Sequence, residues 1–186
     1  MIVETPRLGL RELTIDDAEF VFWLVNEPSF LANIGDKGVR NLDDARQFIL
    51  KSPWTCQEKP GYGQFLIELK AGGAAIGVCG LLFRESLDVT DVGIALLPEY
   101  WGRGFAYEAA SGVMEYGHST LGIEKIVGLT SEENAASIKL LGKLGMKFER
   151  IVKMSDDDPG TVLYFERPLR RGVRCKTQSQ KSNEEF

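Results

Sequence analysis

The chain begins with an alternating segment. In "RLGLREL" (residues 7–13), Leu8 and Leu10 alternate with Arg7 and Arg11, the period of a strand with one buried face. Thr14, followed three residues later by Asp17, gives a helix-start signal close to a capping box. Phe20, Val21, Leu24 and Val25 then recur at helical spacing, and Gly35 and Gly38 of "NIGDKGVR" break that element into a loop. Asn41 and Asp44 set a second cap ahead of Ala45, Phe48 and Ile49, and Pro53 ends this helix.

Strand patterns follow. "GQFLIELK" (63–70) puts Phe65, Ile67 and Leu69 on one face, and after "AGG" the run "AAIGVCGLLF" (74–83) is apolar enough to be buried on both faces. "TDVGIALL" (90–97) predicts another strand, with Val92, Ile94 and Leu96 on one side. Helical character starts near Gly104 and runs to about Leu121. "KIVGLT" (125–130) reads as a short strand, and "NAASIKLLGKLG" (134–145) as a helix stopped by Gly145. "KFERIVKM" and "TVLYFER" are two strands around the turn "SDDDPG". From Pro168 the chain is polar and has no face to bury, so residues 168–186 are expected to be a flexible tail. Residues 1–167 then make one α+β domain with an antiparallel-rich sheet.

Bulk composition narrows the function without naming it. A chain of 186 residues with 44% hydrophobic and 26% charged positions suits one soluble globular domain. A net charge of −5 gives no general attraction to nucleic acid or to an anionic membrane, so any anion site must be local. No stretch approaches the roughly 18 apolar residues of a membrane span. Cys56, Cys79 and Cys175 fit neither a disulfide framework nor a zinc pattern, and His118 is the lone histidine. No metal is expected, and a reducing cytoplasm is the plain reading.

The candidate chemistry centres on "LPEYWGRGFAYE" (97–108), where a strand gives way to a helix through Trp101, Gly102, Arg103, Gly104 and Phe105. Glycines there expose backbone N–H groups at a helix N-terminus, a favourable place for a phosphate, and Arg103 offers a charge-assisted contact. A tight turn packed under aromatic rings is the alternative. There is no GxxxxGK[ST] sequence, and GxGxxG fails because Tyr107 occupies its third small position.

These residues resemble a known family. "LLPEYWGRGFAYEA" is similar to the pyrophosphate loop of the GNAT N-acetyltransferases, Gln/Arg-x-x-Gly-x-Gly/Ala, with Trp101 in the first slot, Gly104 in the glycine slot and Ala106 in the last. The Trp resembles the branch of the ribosomal-protein N-terminal acetyltransferases RimJ and RimL. "NAASIKLLGKLGMKF" is similar to the second GNAT motif, with Met146 where Phe is commoner, and "TPRLGLRELTIDDAEF" looks like the usual start of the branch. The resemblance covers residues 5 to about 167. It implies a single-domain GNAT fold, a mixed and mostly antiparallel twisted sheet with helices on both faces, and acetyl-CoA as co-substrate.

The implied reaction is direct attack of a primary amine on the thioester of acetyl-CoA. The backbone of Trp101, Gly102, Arg103, Gly104, Phe105 and Ala106 would hold the pyrophosphate. The edge of Ile94, Ala95 and Leu96 would splay from its neighbour to bind the pantetheine arm, with an N–H near Leu96 as oxyanion donor. Asn134 would bond the pantetheine amides, or serve simply as an N-cap. Ser137 would protonate the thiolate, since the Tyr many relatives use is replaced by Ile138, Lys139, Leu140 and Leu141. Asp91 is the candidate base, directly or through water, against a solvated strand-end role. Glu132 and Glu133 are fallbacks, and Glu108 is expected to be structural. His118 is expected at a helix C-terminus or exposed, and Cys79 in packing. For the acceptor, the loop "NIGDKGVRN" offers Asn33, Asp36 and Arg40, with exposed turn charges as the bland reading. Protein N-termini and small amines both remain open, as do monomer and homodimer. A rival is a non-catalytic acyl-CoA-binding regulatory protein.

Overall fold

The computed structural model describes residues 1–52, 60–154 and 160–167. Eight strands are ordered β1-β2-β3-β4-β5-β6-β8-β7 in one sheet. They are β1 (Val3–Glu4), β2 (Leu8–Glu12), β3 (Gly63–Leu69), β4 (Ala75–Arg84), β5 (Val89–Leu96), β6 (Ile126–Thr130), β7 (Lys147–Lys153) and β8 (Thr161–Glu166). Every neighbouring pair is antiparallel except β5 with β6. Five α-helices complete the described fold: α1 (Ala18–Val25), α2 (Pro28–Asn33), α3 (Leu42–Lys51), α4 (Phe105–Ser119) and α5 (Ala135–Lys143).

The sheet has a core on each face. On one side Leu8, Leu10, Ile67, Cys79 and Leu81 pack with Ala109, Val113 and Met114 of α4 and Leu141 of α5. On the other, Val78 packs with Val21, Leu24 and Val25 of α1, Phe30 of α2, and Ala45 and Ile49 of α3, with Ala95 beside them. Covering both faces explains why residues 76–82 are buried without interruption, as their apolar run predicts. Each large apolar side chain removed from water here contributes about 1.5–3 kcal/mol. Cys79 belongs to this packing, and burial pushes its thiol well above the usual range.

Two local differences have clear causes. The single helix expected before Gly35 is two helices, because Pro28 starts a new one. The Glu27 carboxylate caps α2 by accepting the N–H groups of Ser29 at 2.7 Å and Phe30 at 3.3 Å. The two-residue strand β1 carries too little pattern to be read, yet it pairs Val3 with Leu10. At the end of α3, Ser52 is extended (ψ 134°), as a residue before proline favours. Pro53, Cys56, most of "SDDDPG" (155–159), and the expected tail at 168–186 with Cys175 lie outside the described residues. Among the described residues no helix is long and apolar enough to cross a membrane, and no group of His, Cys, Asp or Glu is arranged to hold a metal ion.

Candidate active site

Strand β5 is paired with β4 along its whole length, from Val89 opposite Arg84 to Leu96 opposite Gly77. Its other edge meets β6 only at Thr90 opposite Ile126 and Asp91 opposite Val127. Beyond Asp91 the two parallel strands part, and the sheet forks. The Leu97 N–H donates to the Ile76 carbonyl of β4 at 3.0 Å, so strand alternation turns the N–H groups of Leu96 and Ile94 away from β4, into the fork. The Leu96 carbonyl accepts the Trp101 indole N–H at 2.8 Å.

A cavity of about 590 Å³ occupies this fork. One end is lined by Trp101, Gly102, Gly104, Phe105 and Ala106, by Asn134 and Ser137 at the start of α5, and by Lys139 and Lys143. The middle is the β5 edge, Gly93 to Leu96. The other end is lined by Glu27, Ser29 and Asn33 of α2 and by Gln64, Arg84 and Asp91 of the sheet.

The loop owes its shape to glycine. Gly102 and Gly104 have φ of +72° and +81°, a region other residues rarely enter. Gly104 is the N-cap of α4 and has no side chain to cap it, which leaves the first N–H groups of the helix open to an anion. Arg7 holds the loop from below. Its Nη1 donates to the Arg103 carbonyl at 3.0 Å, its guanidinium lies 4.4 Å from the centre of the Phe105 ring, and its Nε donates to Glu108 Oε2 at 2.6 Å. Glu108 also accepts the Thr5 hydroxyl at 2.6 Å and the Arg7 N–H at 2.8 Å. Burial works against its charge, but these donors outweigh it and hold its carboxyl below the usual range. The structural role expected of Glu108 is therefore seen in detail.

At α5, Asn134 Oδ1 accepts the Ser137 N–H at 3.0 Å, an N-cap that leaves the Asn134 amide nitrogen uncommitted. Both residues line the cavity.

Asp91 is not a solvated strand end: it is 3% exposed. Its side chain faces α1 and α2, opposite to Val92. Arg84 donates to its Oδ2 from Nη2 at 2.7 Å and from Nε at 3.1 Å, and the Leu129 N–H approaches its Oδ1 at 3.3 Å. The carboxylate thus serves a β6 donor that the fork deprives of a strand partner. Burial pushes the Asp91 carboxyl above the usual range, and Arg84 and Leu129 offset part of that push.

Several expected residues lie elsewhere. Asp36 and Arg40, four residues apart in the loop between α2 and α3, pair with each other, and Asp36 also accepts the Gly38 N–H at 2.8 Å. Both are exposed and outside the cavity, because opposite charges at this spacing satisfy one another locally. Hydrogen bonding from Arg40 and Gly38 brings the Asp36 carboxyl down to about 2. Glu132 and Glu133 are exposed and line no part of the cavity. The Arg103 side chain lies 5.9 Å from the centre of the Tyr100 ring and does not line it either. His118 Nδ1 is 2.6 Å from the Ile123 carbonyl, at the C-terminal end of α4.

Other residues enter that sequence reasoning had not marked: Arg7, Glu27, Ser29, Gln64 and Arg84. Gln64 is 2% exposed, and neither polar atom of its amide has a hydrogen-bond partner among the described residues. Such an unmet amide costs about 1–3 kcal/mol. The signal was a polar residue in a strand buried on both faces, but its meaning depends on which residues stand opposite it.

Residues 7–147 match the model of the acetyltransferase (GNAT) domain. The chain belongs to the GNAT family and is an acetyl-CoA-dependent N-acetyltransferase. It is 31% identical to YoaA, an uncharacterized N-acetyltransferase of Bacillus subtilis, over 161 residues, which is 86% of this chain and 90% of that one. The fold is shared with a spermidine N-acetyltransferase of Vibrio cholerae solved with CoA and spermine (TM-score 0.70, 20% identity, 87% of this chain and 95% of that one). It is shared equally with a protein of the same organism described as a ribosomal-protein-serine acetyltransferase (TM-score 0.71, 19% identity, 88% and 95%).

Proposed function

We propose that the chain acetylates a primary amine of low charge, a peptide α-amine or a small-molecule amine, by direct attack in the β5–β6 fork. The observation that carries this reading is the fork itself. One continuous cavity joins the glycine loop and the start of α5 to the buried Asp91.

The residues fit an acyl-CoA. The uncapped N-terminus of α4 suits a pyrophosphate, and Lys139 and Lys143 bring positive charge to a chain that is negative overall. The open edge at Ile94 to Leu96 suits the amides of the pantetheine arm, with Asn134 facing it. When bound, acetyl-CoA supplies an acetyl group activated as a thioester. The Leu96 N–H, fixed in the fork, donates to the thioester oxygen as charge develops there. Asp91 accepts the amine proton through a water, because Arg84 and Leu129 already occupy its oxygens. Ser137 donates a proton to the departing thiolate. A peptide α-amine, with a pKa of about 8, needs less help than a lysine at about 10.4.

Charge argues for the acceptor class. Of the ionisable side chains at the α2 end, Glu27 and Asp91 are negative and Arg84 is positive. A polyamine would find one uncompensated carboxylate for several ammonium groups, whereas a monoamine is matched. The likeness of "TPRLGLREL" and Trp101 to the RimJ and RimL branch supports an α-amine, and the cysteine usage fits a reducing cytoplasm. The test is free-thiol release from acetyl-CoA against α-amino peptides, amino acids, aminoglycosides and polyamines. Turnover with peptides or monoamines is expected. Turnover with polyamines alone overturns the reading.

A further inference from the structure

We infer that Gln64 recognises the acceptor, and that the acceptor carries an amide beside its amine. This rests on the cavity being the amine site.

Gln64 on β3 stands opposite Gly80 on β4, which stands opposite Gly93 on β5. Two successive glycines leave a trough in the sheet face that looks toward α1 and α2, and the Gln64 side chain lies in it. A Cβ at Gly93 would sit 2.5 Å from Gln64 Nε2, and one at Gly80 would collide with the Gly63 carbonyl. Gly93 thus keeps room for this one amide at the wall of the cavity, and Gly80 lets the β3 main chain come close.

The neighbouring polar groups have work to do. Asp91 holds Arg84 and Leu129, Glu27 caps α2, and the Asn33 amide nitrogen donates to the Ser29 carbonyl at 2.8 Å. Gln64 has both functions unspent, Oε1 to accept and Nε2 to donate. Its complement is a group that presents a donor and an acceptor side by side. A simple alkylamine offers no acceptor, and a carboxylate offers no donor. An extended peptide offers both on one edge, the N–H of the first peptide bond after the α-amine and the carbonyl of the residue that carries that N–H. A small reorientation of the glutamine about its side-chain bonds brings the amide from the wall into the cavity.

The experiment compares an alanyl peptide with its depsipeptide, in which an ester oxygen replaces the first amide N–H, and with a plain alkylamine. The wild type is expected to favour the peptide at least about tenfold in kcat/KM over either. Gln64→Met and Gln64→Leu are expected to bring those ratios toward one, with Tm at or above that of the wild type, because an unpartnered buried amide is removed. Unchanged ratios in both variants overturn the assignment of Gln64 and leave the peptide reading standing. Lowered Tm in both variants overturns it too, since it reveals a structural partner for the amide. If the wild type acetylates polyamines and no α-amine, the proposed function falls first and this inference with it.

Discussion

The loop end of the cavity presents main chain, and the α2 end presents side chains. Between Trp101 and Ala106 the features that matter are two positive φ angles and an uncapped helix start. At Gln64, Arg84 and Asp91 they are an amide, a guanidinium and a carboxylate brought together from three strands. A backbone site needs the right local conformation, which a short glycine-rich motif encodes by itself. A side-chain site needs the sheet to assemble first. One end is therefore suited to a ligand common to a whole family, and the other can vary with the acceptor.

Substitutions on either side of that division are expected to separate. Asp91→Asn should lower kcat about a thousandfold, within the range for loss of a general base. It should also erase the acidic limb of the pH–rate profile. With Asp91 as the proposed base the reaction needs its carboxylate ionised, and burial already raises its pKa, so wild-type activity should fall as pH drops through that raised value. Arg84→Met removes an offsetting charge and should move the limb to higher pH, and a limb that stays in place would dissociate Asp91 from the chemistry. Gly104→Trp places a bulky residue at φ +81° and should cut thiol release about a hundredfold whatever the acceptor. An acceptor-dependent loss would erase the distinction between the ends.

Ser137→Ala should lower kcat about tenfold, the worth of one hydrogen bond to a charged group, and by the same factor whichever amine attacks, since the thiolate leaves in every case. The smallest effect is indirect. Glu108→Gln should raise KM for acetyl-CoA about fivefold without moving kcat, and should spare S-acetylpantetheine, which lacks the pyrophosphate. The same change should cost about 1–2 kcal/mol of stability at neutral pH. Glu108 has its pKa lowered on folding, so its contribution is present above the ordinary carboxylate pKa and lost as pH falls through the folded value. The gap between wild type and variant in a denaturant titration should close in acid.

The same division explains what could be read in advance. Period and capping located β3 to β8, α4 and α5 within a residue or two, because each carries its own pattern. Trp101 to Ala106, Asn134 and Ser137 were legible as local motifs, and all but Arg103 line the cavity. Asp36 and Arg40 looked available because a sequence shows charges without their partners, and these two neutralise each other. Arg7 read as the outward half of an alternating strand, and nothing local revealed that Glu108, far along the chain, would meet it. Gln64 needed register: its opposition to Gly80 and Gly93 exists only once three strands are aligned.

The hydrogen bond from Trp101 to the Leu96 carbonyl gives the molecule an optical property. An indole that is half exposed and tethered to the very strand edge proposed for the pantetheine arm is a resident fluorophore at the mouth of the site. Its emission should change colour or intensity when acetyl-CoA displaces water around the ring, and the change should vanish in Trp101→Phe. Titrating that light reports occupancy of the loop without an acceptor, a label or a turnover.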